Sequence, residues 1–187
     1  MVGKMLILVV GPSGAGKGTL LNGARARLAD DPRCRFVQRV ITRPGGAGEE
    51  AHEAISEQAF ELRRQAGEFA LTWRAHGLHY AIPADIGLDL AAGRVVIANA
   101  SRAVVAEAAE RFPVAVIEVS APADVLACRL AARGREDAVD MARRLSRAIE
   151  LPLPVDRQSV VNDGTVEQGV RRMLAAITRA AGGAPPA

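Results

Sequence analysis

The sequence predicts a three-layer α/β fold in which a parallel sheet is sandwiched by helices. Two observations carry that expectation. Short apolar runs alternate with Ala/Leu/Arg-rich stretches of helical character, and strands separated by helices are joined by right-handed crossovers into a parallel sheet. The first run, Met5-Leu-Ile-Leu-Val-Val10, is apolar throughout and ends at a glycine-rich turn, as a strand buried on both faces does.

Taken in order, five apolar runs read as strands, at 5–10, 35–41, 94–99, 114–119 and 158–162. Between and after them, helices are expected at 17–29, 56–66, 101–111, 122–132, 138–150 and 165–181. Residues 67–82 interrupt the alternation with short strand-like pieces around His76-Gly77. The stretch Arg133-Gly-Arg-Glu-Asp-Ala-Val-Asp140 has little apolar content between two helices and suits a mobile lid. Residues 182–187 are Gly, Pro and Ala only and read as a flexible tail. One domain follows, with core segments 5–41, 93–130 and 149–181, an inserted lobe at 42–92 and a lid at 131–148.

Composition narrows the class. With 49% hydrophobic and 24% charged residues among 187, the chain can bury a sizeable core and is not disordered. The net charge is only +3, which argues against nucleic-acid binding. Of 24 basic residues only Lys4 and Lys17 are lysines. The codon bias of a GC-rich genome accounts for most of that imbalance, and it makes the two lysine positions worth reading. Cys34 and Cys128 stand far apart with no Cys-x-x-Cys spacing and read as small buried hydrophobes. The first apolar run is too short for a membrane span or a signal peptide, so no membrane partner and a cytoplasmic location are expected.

After the first strand comes Gly11-Pro12-Ser13-Gly14-Ala15-Gly16-Lys17-Gly18-Thr19. This is G-x-x-x-x-G-K between a strand and a helix, a phosphate-binding loop. Glycines let the backbone wrap so that its N–H groups face phosphate oxygens, and the following helix adds its positive N-terminus. Lys17 brings a compact cation to the β- and γ-phosphates. ATP is the expected ligand, with Mg²⁺. The residue after the lysine is Gly18, where a Mg²⁺-contacting hydroxyl usually stands; Thr19 follows, so contact with the ion is expected through water. No strand ends in the aspartate of a Walker B motif, since Val95-Val-Ile-Ala-Asn99 closes in asparagine. Both departures argue against a GTPase or ATPase motor.

All three histidines, the only Trp and the only Tyr fall between His52 and Tyr80. A satellite core and an acceptor-binding lobe both fit that concentration. Thr42-Arg43-Pro44, Gly48-Glu49, Gly67-Glu68-Phe69 and His76-Gly77-Leu78-His79-Tyr80 follow the order seen in guanylate kinases, and Arg129-Leu-Ala-Ala-Arg133-Gly134 resembles their lid entry. Arg143-Arg144-Leu145 and Val160-Val-Asn162-Asp-Gly164 resemble their later signatures. The resemblance runs from Met5 to about Ala180 and implies a P-loop kinase with a small acceptor-binding lobe and a lid.

The chain also departs from that family. A second arginine expected after Thr-Arg-Pro falls on Gly46, a tyrosine is replaced by His52, and the carboxylate that reads guanine is Leu71. An apolar side chain cannot accept a guanine hydrogen bond. The pattern without these conflicts is that of the ribose 1,5-bisphosphate phosphokinases of phosphonate degradation, which it resembles at Gly11–Lys17, Ile41-Thr-Arg43, His52 with Ile55-Ser-Glu-Gln58, Trp73, Gly77-Leu-His-Tyr80, Ser101-Arg-Ala103, Arg133-Gly-Arg-Glu136 and Asn162-Asp-Gly164. That resemblance implies transfer from ATP to ribose 1,5-bisphosphate, giving 5-phosphoribosyl 1-diphosphate. A phosphate acceptor is already ionised near pH 7, its second pKa being about 6, so no general base is needed, and no clear one is seen.

The roles implied are these. Lys17, Arg133, Arg144 and Arg147 act on the transferring group. Gly11 to Thr19, Arg133, Arg135 and Asn162 hold ATP. Arg43, His52, Tyr80, Asn99, Ser101 and Arg102 meet the acceptor. Two other readings stay open: a guanylate or other nucleoside monophosphate kinase, and an inactive guanylate-kinase-like interaction module. Oligomeric state is also open, with a homodimer among the options.

Overall fold

A computed structural model describes residues 4–43, 51–132, 155 and 157–183. Its main sheet has five strands, β1 (Met5–Val10), β2 (Cys34–Phe36), β7 (Val95–Asn99), β8 (Val114–Ser120) and β9 (Arg157–Val161), in the order β2-β7-β1-β8-β9. Every pairing in it is parallel. β1 lies at the centre and its residues from Leu6 to Val10 are fully buried, which is why the run carries no polar position.

Alternation along β1 feeds two cores. Ile7 and Val9 pack with Leu20, Leu21 and Ala24 of α1 (Lys17–Arg27) and with Val170, Met173 and Ile177 of α6 (Val166–Ala180). Leu6, Leu8 and Val10 pack on the other face with Val96, Ala98, Val116, and Val105 and Ala108 of α4 (Val105–Arg111). α6 starts on a full capping box, with Thr165 accepting from Gln168 N and Gln168 accepting from Thr165 N.

The expected strand at 35–41 is two strands in different sheets. β2 ends at Phe36, Val37 still donates to Ile97 O at 2.8 Å, and the chain then crosses to β3 (Arg39–Ile41). β3 belongs to a second sheet, ordered β4-β3-β6-β5, with β4 (His52–Ala54), β5 (Phe69–Ala75) and β6 (Leu78–Pro83). Apolar runs do not record which sheet they join, and the break at Val37-Gln38 leaves no glycine or proline to mark it. The hairpin β5–β6 turns on His76 and Gly77, both at positive φ (52° and 74°), as a type I′ turn requires. β4 and the short helix α3 (Ile86–Ala91) were not among the expected elements. The expected 101–111 helix is a 3₁₀ turn at Arg102–Val104 running into α4. α2 (Glu57–Gln65), capped by Ser56, and α5 (Ala123–Ala132) lie within the expected spans. The expected helix at 138–150, most of the proposed lid and residues 184–187 lie outside the described residues.

The small sheet has two unlike faces. Val40 and Ala81 pack against Phe60 of α2. On the other face Leu71, Ile82 and Trp73 pack into the second main core, the one that contains Val10 and Ala100. The small sheet is thereby held at the C-terminal end of β1 and β7.

A buried carboxylate braces the β2 edge. Asp89 of α3 is 2% exposed and pairs with both Arg35 and Arg94, and Arg35 also bonds Asp85 at 2.8 Å. Removing the shared carboxylate leaves two guanidinium groups facing each other. Asp89→Ala is therefore expected to lower the unfolding free energy by about 2–3 kcal/mol, less than a fully buried pair would because both arginines are partly exposed. Urea unfolding checks this, and a change under about 0.5 kcal/mol contradicts it.

Candidate active site

The phosphate loop follows from how β1 ends. Gly11 has φ 140°, and a Cβ there would stand 2.0 Å from Val119 O on β8. Only glycine fits where the chain turns out of the sheet. Gly16 caps α1 in the left-handed region at φ 86°, and its Cβ would meet Asn162 Nδ2 at 2.4 Å. The loop between them wraps tightly, with Ala15 N donating to Pro12 O at 3.4 Å. Lys17, first residue of α1, folds back over it. Its Nζ donates to Gly11 O at 2.8 Å and Pro12 O at 2.9 Å. Thr19 sits in the first turn of the same helix, which carries no acidic residue there. Gly-walled amides, a helix N-terminus and one ammonium fit the polyphosphate of a nucleotide.

Asn162, expected among the ATP contacts, is 5% exposed beneath the loop, donating from Nδ2 to Ala15 O at 2.8 Å, while its backbone N–H donates to Ser120 O. It supports the loop from behind, and the neighbouring Asp163 is held by Arg172 at 2.6 Å, which keeps its carboxyl below the usual range. Arg129, on α5, is the residue sequence reasoning passed over. Its Nη1 is buried, has no hydrogen-bond partner among the described residues, and lies 3.8 Å from where a Cβ on Gly16 would stand. Its place at the head of the Arg129–Gly134 motif was the available signal. Arg133, Arg135, Arg144 and Arg147 lie outside the described residues.

The acceptor candidates gather on one side of the small sheet and at the end of β7. His52 pairs with Arg39, Ile41 with Tyr80, and Tyr80 with Trp73, so these residues share a face. Tyr80 stacks on Trp73 at 5.4 Å with rings 7° apart, and Arg39 lies over the Tyr80 ring at 5.6 Å. Arg43 follows two residues past β3, its Nε buried without a hydrogen-bond partner among the described residues. Asn99, last in β7, is 7% exposed. Ser101 caps the next turn by accepting from Ala103 N at 3.2 Å, so its hydroxyl has a structural use. Leu71 is 1% exposed within the core. His79 faces the other way, against Phe60.

Arg102 is placed by a carboxylate that the sequence did not single out. Glu118, level with Val10 on the adjoining strand, pairs with Arg102 and, at 3.0 Å, with Arg157. Burial, and then the like charge of Arg157, pull the Arg102 guanidinium below its ordinary value; arginine still stays protonated at neutral pH. One carboxylate between two arginines leaves a unit positive charge at the end of the sheet, on the face that the small sheet covers. Packing of β5 against the Arg102–Val104 turn joins the two groups of candidates. Among the described residues no cluster of three or more His, Cys, Asp or Glu offers a metal site, and no helix is long and apolar enough to cross a membrane.

No family model matches the chain. Curated relatives do. A ribose 1,5-bisphosphate phosphokinase PhnN of Methylobacterium radiotolerans is 49% identical over 171 residues, covering 91% of this chain and 95% of the relative. One of Agrobacterium fabrum is 42% identical over 183 residues, covering 97% and 100%. The chain belongs to the ribose 1,5-bisphosphate phosphokinase family. Larger members exist: a bifunctional ribose 1,5-bisphosphokinase-thymidine phosphorylase of Azorhizobium caulinodans is 48% identical over 175 residues. The chain spans about a quarter of that protein's length. In fold, this family member is similar to guanylate kinase from Anaplasma phagocytophilum (TM-score 0.69, 17% identity, 94% of this chain and 85% of that one). A gluconokinase from Sinorhizobium meliloti is a more distant likeness at TM-score 0.55 and 19% identity, covering 97% and 96%.

The buttress under the loop is testable. Asn162→Ala removes the donor to Ala15 O and opens space beneath Gly16. It is expected to weaken ATP binding about tenfold by calorimetry while the thermal midpoint falls by only a few degrees. An unchanged ATP affinity would contradict a supporting role.

Proposed function

We propose that this chain transfers the γ-phosphoryl group of ATP to the 1-phosphate of ribose 1,5-bisphosphate, releasing ADP and 5-phosphoribosyl 1-diphosphate. The observation that carries the reading is an intact phosphate loop together with arginines and rings on one face of the small sheet, with Leu71 where a guanine-reading carboxylate would stand, in a chain whose relatives are named for this activity. The loop amides and Lys17 hold the transferring group. Lys17's two carbonyl acceptors keep its ammonium at the loop before nucleotide arrives. Arg129, and Arg133 and Arg135 beyond the described residues, add cations on the ATP side. Arg144 and Arg147 are the proposed partners of the group in flight.

The acceptor is an anion, so its nucleophile needs no base, and the task left to the protein is electrostatic. Two anionic groups must meet in line, and the guanidinium forks of Arg43 and Arg102 suit that work. Glu118 keeps Arg102 at the sheet end. Mg²⁺, carried by the nucleotide and met through water near Thr19, would supply further charge neutralisation. Residues 42–92, with β3 just before them, act as the acceptor lobe and residues 131–148 as the lid.

Leu71 sits in the core, and this favours the bisphosphate over GMP. ADP release measured with each acceptor separates them, and faster turnover of GMP would sink the reading. Absence of ADP release with every phosphorylated acceptor tried would favour an interaction module. Lys17→Ala is expected to cut turnover at least about a hundredfold with the thermal midpoint within about 2 °C of the parent.

A further inference from the structure

We propose that Arg39, with His52 beside it, forms the subsite for the second phosphate of the acceptor, the one that does not take the γ-phosphoryl group. This rests on the reading above and names what sets its preference for a doubly phosphorylated sugar.

The small sheet offers a ligand one face only. Phe60 of α2 covers the other, against Val40 and Ala81. On the opposite side, Arg39 stands between His52 on β4 and the Tyr80–Trp73 stack on β6 and β5. Trp73 packs into the core that holds Val10, the last residue before the phosphate loop, and Ala100. The face therefore looks toward the end of β1 and β7, where the transferred group must arrive.

Arg39 is also held in place. Its guanidinium lies over Tyr80 at 5.6 Å, and Tyr80, only 9% exposed, is fixed by its stack on Trp73. A cation resting on an immobilised ring loses little freedom on binding an anion. Five N–H donors in a planar fork suit a terminal phosphate better than a neutral group.

Order along the chain supplies the second phosphate. Arg39 opens β3 beside His52, while Arg43 comes two residues past the strand, after the chain bends at Thr42. The two cations therefore stand at different places on the lobe. A pentose with a phosphate at each end can meet both, its 1-phosphate toward Arg43 and the loop and its 5-phosphate at Arg39.

Two monophosphates separate the ends of the site, and calorimetry reads both without turnover. Ribose 5-phosphate carries only the group assigned to Arg39, and ribose 1-phosphate only the other. Arg39→Gln is expected to weaken ribose 5-phosphate at least about tenfold, and to leave ribose 1-phosphate and ATP within about twofold. KM for ribose 1,5-bisphosphate should rise by a similar factor. Arg39→Lys, which keeps the charge without the fork, should weaken ribose 5-phosphate only about threefold, and it decides the matter if Arg39→Gln does not fold. Equal weakening of both monophosphates, unchanged ribose 5-phosphate affinity, or no binding of ribose 5-phosphate by the parent protein would overturn the subsite. Failure of the parent to turn over ribose 1,5-bisphosphate would instead overturn the proposed function, leaving the calorimetric outcome for Arg39 intact.

Discussion

The structure hangs on the place where β1 stops. A strand buried between β7 and β8 reaches Gly11, which presses against the carbonyl of Val119. No Cβ fits there, so the chain must leave the sheet at a glycine and turn with its amides inward. The direction of α1, the return of Lys17 onto its own loop and the position of Asn162 under Ala15 all follow from that exit. The C-terminal edge of a parallel sheet is where ligands collect in folds of this kind. Here one strand end, one loop and one buried amide define it.

Charge at the site is arranged by sharing. Glu118 serves two arginines at the mouth, and Asp89 serves two at the β2 edge. The same device has different consequences at the two places. At the edge it ties α3 to β2 and β7. At the mouth it leaves excess positive charge at the end of the sheet, and holds Arg102 against the repulsion of Arg157. A chain with 22 arginines has many surface pairs, such as Arg64 with Glu61, and those contribute little. Burial of the carboxylate, not the number of arginines, marks the pairs that matter.

Much of this was legible in the sequence. The phosphate loop was, because its glycines and lysine are required by sterics and charge at fixed spacing. The parallel core was, because its central strand β1, buried on both faces, carries no polar residue. The small sheet was read only in part. Its strands are short and half-buried, and β4 (His-Glu-Ala) carries no apolar run. The split at Val37 was invisible because both halves mix an arginine with apolar residues and no glycine or proline marks the break. Glu118 and Arg39 carry no motif of their own, and Arg129 enters only as the head of the Arg129–Gly134 stretch. In each case the meaning comes from a partner far away in the chain. Asn162 is read from its motif as an ATP contact, and its side chain is found on Ala15 O beneath the loop, since a motif says where a residue falls and not which way it faces.

The small sheet is inserted between β2 and β7, which pair with each other in the finished sheet. That arrangement bears on folding order. β1 likewise finds β7 only after the whole insertion has been traversed, so the contacts closing this half of the sheet are among the most non-local in the molecule. Their loop entropy falls if the hairpin β5–β6, which is local and closed by a favourable turn, forms first and draws its flanks together. The small sheet would then also be the scaffold on which the half of the molecule that carries the phosphate loop assembles.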